Sequence, residues 1–202
     1  MSRPINKVVD YVLIPSVGLL AGLSFMKPWP RLDKIKHDDY ENKLVEDPDA
    51  IKKLNTHLSK KYKIHDENST DFKISKQTEL IPKEHSHNHV GINLFRHPER
   101  FCIDPVFVRH KNSKDYDGNE LSCYFQLGKQ FQDDGNLNTY KGALTLIMDE
   151  VLCFTGFPKL PNKRGVTSSL ELDFMNHKIP TDQLLVLNCI ITEAKGRKCI
   201  TK

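Results

Sequence analysis

Apolar and polar positions follow two different spacings in the C-terminal half of the chain. Residues 121–128 alternate between apolar and more polar side chains, which is typical of a half-buried strand. Residues 140–158 are almost continuously apolar and end in glycine and proline, so they predict a long helix. Asn138 or Thr139 is expected to be its N-cap, because a short polar side chain satisfies the first amide groups of a helix.

Strand patterns return after this helix, over residues 166–174, 184–192 and 197–201. The first of the three alternates cleanly, whereas the second is apolar on both faces and is predicted to be central in its sheet. A strand, one long helix and then consecutive strands with short links indicate an α+β fold. An antiparallel sheet is expected to lie against the single helix.

The N-terminal third differs from the rest. Residues 11–26 contain no charged side chain and are flanked by basic residues. As a helix this stretch is ~24 Å long at ~1.5 Å per residue, and including positions from residue 8 brings it near the thickness of a bilayer core. A single membrane span over residues 8–26 and a targeting segment both stay open, and residues 1–30 are assigned to one or the other.

Residues 31–94 are dense in charged side chains and predict a spacer with short helices. Within it, Ile51, Leu54 and Leu58 stand at helical spacing and indicate a stalk or docking helix.

Charge and cysteine content exclude several classes of protein. The net charge of +4 comes from intermixed basic and acidic residues, so no nucleic-acid surface is expected. The five cysteines form no C-x-x-C pair, which favours a reducing compartment over a disulfide framework or a zinc site. His85, His87 and His89 alternate as metal ligands on a strand would, but no second cluster completes a coordination shell, so no metal is expected.

The long helix carries two adjacent acids, Asp149 and Glu150. On a helical wheel Asp149 lies in line with four small residues: Gly142, Thr145, Cys153 and Gly156. Small residues let a backbone or an extended ligand approach, and a carboxylate beside them is suited to act as a base or a nucleophile. The pattern assigns no function to Glu150.

Three segments resemble a known family: "YKGALTLIMDEVLCFTGF", "RGVTSSLELDFMN" and "KGRK". Their order and spacing are similar to those of hotdog-fold acyl-CoA thioesterases of the PaaI and THEM type, in particular fungal mitochondrial members with an N-terminal hydrophobic segment. The resemblance runs from about Phe95 to the end. It implies a hotdog domain over residues 95–202, an antiparallel sheet wrapped around one central helix without its last strand, and a mitochondrial, membrane-associated protein.

The resemblance also implies catalytic roles. Asp149 corresponds to the carboxylate that activates water or attacks the thioester carbonyl of an acyl-CoA. Gly142 corresponds to the glycine whose amide polarises that carbonyl, and Thr167 to a hydroxyl that a partner subunit presents to the attacking water. The family pairs as dimers with the pocket across the interface, so a homodimer or higher homo-oligomer is expected. No cofactor is expected, because coenzyme A enters as part of the substrate.

Five residues are implied to contact the substrate: Tyr140, Lys141, Arg164, Arg197 and Lys198. The last three are expected at the phosphates of coenzyme A. Tyr140 and Lys141 replace the histidine and first glycine of the family motif, which adds bulk and charge beside the expected carbonyl site.

Two alternatives to hydrolysis stay open. A catalytically impaired, membrane-tethered hotdog protein that binds acyl-CoA or a protein partner is favoured by Tyr140, by Lys141 and by the short C-terminal end. A nucleophilic Cys153 is the other alternative, although no histidine stands at a predictable distance from it.

Overall fold

The structure is a computed structural model, and it describes residues 46–62, 71–86, 89–95, 99–116, 118–133, 138–175 and 178–202. The predicted membrane span over residues 8–26 lies outside these ranges, as does His87. Among the helices in the described ranges, none is long and apolar enough to cross a membrane.

Five α-helices and six strands are described, together with three short 3-10 turns. The helices are α1 (Pro48–Tyr62), α2 (Gln77–Leu80), α3 (Lys83–Ser86), α4 (Val90–Phe95) and α5 (Lys141–Gly156). The strands are β1 (Phe72–Lys76), β2 (Val106–His110), β3 (Leu121–Gln126), β4 (Leu184–Cys189), β5 (Ile191–Lys195) and β6 (Lys198–Thr201).

Strands β1 to β4 form one antiparallel sheet in the order β1-β2-β3-β4. Phe72 pairs with His110 between β1 and β2, and Tyr124 of β3 pairs with Val186 of β4. Strands β5 and β6 form a separate hairpin, whose turn contains Gly196 at a φ of 57°. The α+β class with an antiparallel sheet and a helix is therefore confirmed.

Helix α5 covers one face of the sheet. Its apolar stripe is buried against the inward side chains of β2 and β3, which is the packing that the apolar run predicts. This core consists of Phe95, Phe101, Phe107, Leu121, Cys123, Phe125, Leu127, Ala143, Leu144, Ile147, Val151 and Cys189.

Helix α1 covers the opposite face. Ala50, Leu54, Leu58 and Tyr62 recur at helical spacing on its buried side and pack on the sheet around Tyr124. All six residues of β3 are consequently buried, so the prediction of a half-buried strand was wrong. The region predicted to be a spacer thus contributes α1 and β1 to the layers around the sheet.

Polar groups between α1 and the sheet are hydrogen-bonded to each other. The hydroxyls of Tyr62 and Tyr124 lie 2.8 Å apart, and Lys61 Nζ donates to Tyr124 Oη at 3.0 Å. Burial, reinforced by the hydrogen bond to Tyr124, raises the pKa of Tyr62 to about 12. Both tyrosines therefore stay protonated, and their rings contribute mainly to packing.

The structure corrects three further predictions. Tyr140 is the N-cap of α5 and makes no side-chain capping bond, so Asn138 and Thr139 were wrong as N-caps. Residues 166–174 lie in no strand, because their backbone pairs with no other described segment. Residues 184–192 divide into β4 and β5, and β4 is an outer strand of its sheet. The strand predicted near the C-terminal end is confirmed as β6.

The packing of α1 yields a stability prediction. Leu54→Ala removes a side chain that is 5% exposed, and we expect it to lower the free energy of unfolding by about 2–5 kcal/mol in urea titrations. Lys60→Ala, on the exposed side of the same helix, is the control and should change it by less than about 0.5 kcal/mol. Equal effects of the two substitutions would show that α1 does not pack on the sheet.

Candidate functional site

Asp149 lies on α5 at the centre of a small polar cluster. Its side chain is partly exposed, and Thr167 Oγ1 donates a hydrogen bond to Asp149 Oδ1 at 2.8 Å. Cys153, one helical turn further along, places its Sγ 3.3 Å from the same hydroxyl. The structure thus brings together two of the three residues to which the sequence assigns catalytic roles.

The turn after α5 explains how Thr167 reaches Asp149. A 3-10 turn at Phe157–Lys159 follows the helix, and Gly165 lies tightly against it. A Cβ atom at Gly165 would lie 2.8 Å from Leu160 Cδ1 and 3.0 Å from Phe157 Cε1, so a larger residue would displace one of these side chains or the main chain. Thr167 and Asp149 meet within one chain, whereas the resemblance implies a threonine from a partner subunit.

Gly142 lies at the other end of the same stripe. Its N–H belongs to the first turn of α5, where helix amides have no intrahelical acceptor and the helix dipole is positive. Tyr140 lies over it, since a Cβ at Gly142 would be 2.6 Å from Tyr140 Cε1. Seven residues separate Gly142 from Asp149, which is ~10 Å along a helix axis. One substrate carbonyl therefore cannot contact both groups of the same chain.

The predicted substrate-binding residues are all exposed, but they lie on different elements. Lys141 begins α5 and places its Nζ 5.4 Å from the centre of the Phe174 ring. Arg164 lies in the loop after α5, and Arg197 and Lys198 lie at the turn of the β5-β6 hairpin. Within the described ranges, no hydrogen bond or ion pair joins Arg164 to the other two.

Glu150 is the residue that the sequence reasoning missed. Its side chain is only 14% exposed, and Gln77 Nε2 donates to its Oε1 at 2.7 Å. The same oxygen lies 3.3 Å from His89 Nε2. Burial is the main reason that the pKa of Glu150 rises to about 7; the hydrogen bond from Gln77 lowers it and the charge of Asp149 raises it.

His89 is the one histidine of the alternating motif for which a side-chain contact is described. Burial lowers its pKa, and its ring lies 6.3 Å from the ring of Phe154, measured between centroids. His85 is exposed on α3. In the described part of the chain, no group of three metal-binding side chains comes together.

Cys153 has the environment of a weakly reactive thiol. Burial raises its pKa above 9.0, the hydrogen bond with Thr167 lowers it, and the charges of Asp149 and Glu150 raise it. A catalytic cysteine requires a thiolate at neutral pH, which these contacts disfavour. The geometry therefore favours Asp149 over Cys153 as the reactive group.

Fold and site together define an α+β protein with two acids in contrasting environments on one helix. Among curated proteins, the MIOREX complex component 3 of Saccharomyces cerevisiae is 33% identical over 209 residues, which cover 94% of this chain and 72% of the relative. The chain belongs to the family of that protein.

Two further relatives match shorter parts of the chain. An uncharacterized mitochondrial protein of Candida albicans is 38% identical over 135 residues, and a UPF0644 protein of Schizosaccharomyces pombe is 29% identical over 121 residues. These matches cover 66% and 60% of this chain, but only 56% and 44% of the relatives. The mitochondrial location expected from the sequence agrees with the name of the Candida protein.

The other two comparisons gave no match. No model of a known protein family matches the chain, and no solved structure matches it significantly.

The environment of Cys153 predicts slow alkylation. We expect the pH midpoint of its reaction with iodoacetamide, followed by mass spectrometry, to lie above 9.0 in the folded chain. The same cysteine in the urea-unfolded chain is the control, and its midpoint should fall to the ordinary value. A folded-state midpoint at neutral pH would instead restore Cys153 as a candidate nucleophile.

Proposed function

We propose that this chain is a hotdog-type acyl-CoA thioesterase that works as a homodimer in the mitochondrion. The observation that carries the proposal is the Asp149 carboxylate, which is partly exposed on a stripe of small residues and accepts a hydrogen bond from Thr167. Hydrogen bonding fixes the direction of the carboxylate while one of its oxygens stays available to a water molecule. This is the geometry that a general base needs.

In the proposed reaction, Asp149 takes a proton from water as the water oxygen attacks the thioester carbonyl carbon. The carbonyl oxygen gains negative charge, which the Gly142 amide and the positive end of the α5 dipole stabilise. The C–S bond then breaks, and the coenzyme A thiolate receives the proton that Asp149 took from water, which returns Asp149 to its carboxylate form. The products are a free acid and coenzyme A, and the step consumes only water.

Two chains are needed because of the length of α5. Asp149 and Gly142 of one chain are ~10 Å apart along the axis, so the proposed site combines Asp149 of one copy with Gly142 of another. The hotdog family that this chain resembles likewise has a pocket shared between two subunits. Packing of α5 on an antiparallel sheet, with β3 directly before it and strands after it, supports that fold.

The segment 164–175 supports the dimer independently. Its sequence alternates as a strand does, yet its backbone bonds to no other described residue. Val166 is 90% exposed and Met175 is 89% exposed, which is unusual for large apolar side chains. We propose that the segment pairs with its counterpart in a second copy, because unpaired strand edges associate readily.

A non-catalytic binding protein is the second candidate. The yeast relative is named as a component of a complex, and this chain is proposed to join a mitochondrial protein complex as well. Tyr140 favours the binding role, since its ring covers the Gly142 position where an acyl carbonyl would dock. Membrane association remains a proposal that depends on residues 8–26.

Hydrolysis of an acyl-CoA panel by the full chain tests the catalytic role. Asp149→Asn keeps the size of the side chain and its contact with Thr167 but removes the base, so we expect kcat to fall by about 10²–10⁴-fold. Glu193→Gln, an exposed acid on β5 outside the proposed interface, is the control and should keep full activity. Equal rates for wild type and Asp149→Asn would exclude the assigned role, and binding of acyl-CoA without turnover would select the second candidate.

Oligomeric state tests the pairing of segment 164–175. Light scattering after size-exclusion chromatography should give twice the chain mass for the wild type. We expect Val166→Asp to give monomers, because it places a charge in the proposed interface, whereas Lys195→Asp on the exposed face of β5 should leave the dimer intact. A monomeric wild type, or a dimeric Val166→Asp variant, would contradict the proposed interface.

A further inference from the structure

Glu150 connects the middle of α5 to a segment that is distant in sequence. Gln77 begins α2, His89 directly precedes α4, and both contact the Glu150 carboxylate. The described residues 77–86 and 89–95, which include both contacts, are here called the strap. It contains three short helices, α2, α3 and α4, none longer than six residues. Helices this short depend on tertiary contacts for their stability.

Gly91 shows how closely the strap approaches Glu150. A Cβ atom at this position would overlap both carboxylate oxygens of Glu150 and would lie 2.6 Å from Gln77 Nε2. A side chain at position 91 would therefore displace the Glu150 carboxylate or the Gln77 amide. The Gln77 amide, the His89 imidazole and the backbone of Gly91 surround the Glu150 carboxylate. An unpaired charge in this environment would be energetically unfavourable.

We propose that Glu150 is a positioning residue. It shares one proton with His89, and this contact holds the strap on the middle of α5. The contact thereby fixes the rotation of α5 that directs Asp149 toward Thr167. Consecutive residues on a helix point about 100° apart. Anchoring Glu150 against the strap therefore turns Asp149 toward the segment after the helix. The consequence for Asp149 rests on the proposed function, but the contact between Glu150 and the strap does not.

The surrounding groups explain why the pair carries a single proton. Burial raises the pKa of Glu150 to about 7 and lowers the pKa of His89 below 6.5, so neither charge is favoured alone. Cys123 from β3 and Cys153 on α5 also interact with Glu150, but burial raises the pKa of both thiols and keeps them neutral. Asp149 supplies the remaining charge near Glu150.

The pKa shifts of Glu150 and His89 define the pH range in which their contact is stable. A raised carboxyl pKa contributes stability that is complete below 4.5 and is lost as pH rises through about 7. A lowered imidazole pKa contributes stability that is present above 6.5 and is lost as pH falls through the lowered value. The form of the pair that carries one proton is therefore dominant from the lowered pKa of His89 up to about pH 7, and deprotonation of Glu150 above this range weakens the attachment of the strap.

Hydrogen exchange of the full chain at pH 6.5 and pH 8.5 tests this attachment. After correction for the intrinsic pH dependence of exchange, we expect amides of the strap to exchange several-fold faster at pH 8.5 in the wild type. Glu150→Gln cannot ionise and should remove this difference, whereas Glu193→Gln, an exposed acid on β5, should retain it. A difference that persists in Glu150→Gln, or is absent from the wild type, would overturn the proposal.

A second variant covers the case in which Glu150→Gln does not fold. His89→Leu removes the group that shares the proton, so the loss of strap protection should begin at a lower pH than in the wild type. An unchanged pH dependence in His89→Leu would exclude a shared proton.

The pH profile of hydrolysis tests the link to Asp149. We expect Glu150→Gln to retain activity and to lose the alkaline decline of kcat near pH 7, whereas Asp149→Asn is inactive at every pH. If the wild type is inactive but hydrogen exchange of the strap depends on pH, the thioesterase proposal is refuted and the proposed strap contact stands. A wild-type profile that Glu150→Gln leaves unchanged would refute the positioning role.

Discussion

Packing of α5 on the sheet is the constraint on which the site depends. Because one stripe of the helix is buried against β2 and β3, α5 can rotate only within a narrow range, and we propose that the contact of Glu150 with the strap fixes its rotation within that range. Asp149 then faces the segment that follows the helix, and Glu150 faces the strap. Two adjacent carboxyl groups thus acquire different partners, and the difference comes from burial rather than from side-chain chemistry.

Sequence reasoning located α5 because a long, nearly continuous apolar run has few other structures available to it. The family resemblance implied that Asp149 and Thr167 share a site with Thr167 supplied by a partner subunit, whereas the structure brings the two side chains into contact within one chain. Local sequence patterns did not reveal contacts between residues that are distant in the sequence. Glu150 contacts Gln77, 73 residues earlier in the chain, and no periodicity around Glu150 reports such a contact. The role of α1 was missed for a related reason, since its many exposed charges made the surrounding region resemble a spacer.

Residues 166–174 have a clear strand pattern, but they form no strand in the single chain. Alternation indicates that a segment suits a sheet, but a strand also requires a neighbour with free backbone groups. No described segment supplies one here, and Val166 and Leu170 stay exposed, although Phe174 packs against the core. A second copy of the chain would supply that neighbour and would also bring a Gly142 amide close to Asp149. The proposed dimer and the proposed chemistry therefore follow from the same geometry.

The central claim is that α5 holds Glu150 in a buried, proton-sharing environment beside an accessible Asp149. Side-chain carboxyl ¹³C NMR of the full chain, with the Glu150 resonance assigned by comparison with Glu150→Gln, measures this environment directly. The account predicts a titration midpoint for Glu150 of about 7. A midpoint near the ordinary value of 4.5 would contradict it, because a carboxyl group that titrates normally is neither buried nor engaged with the strap.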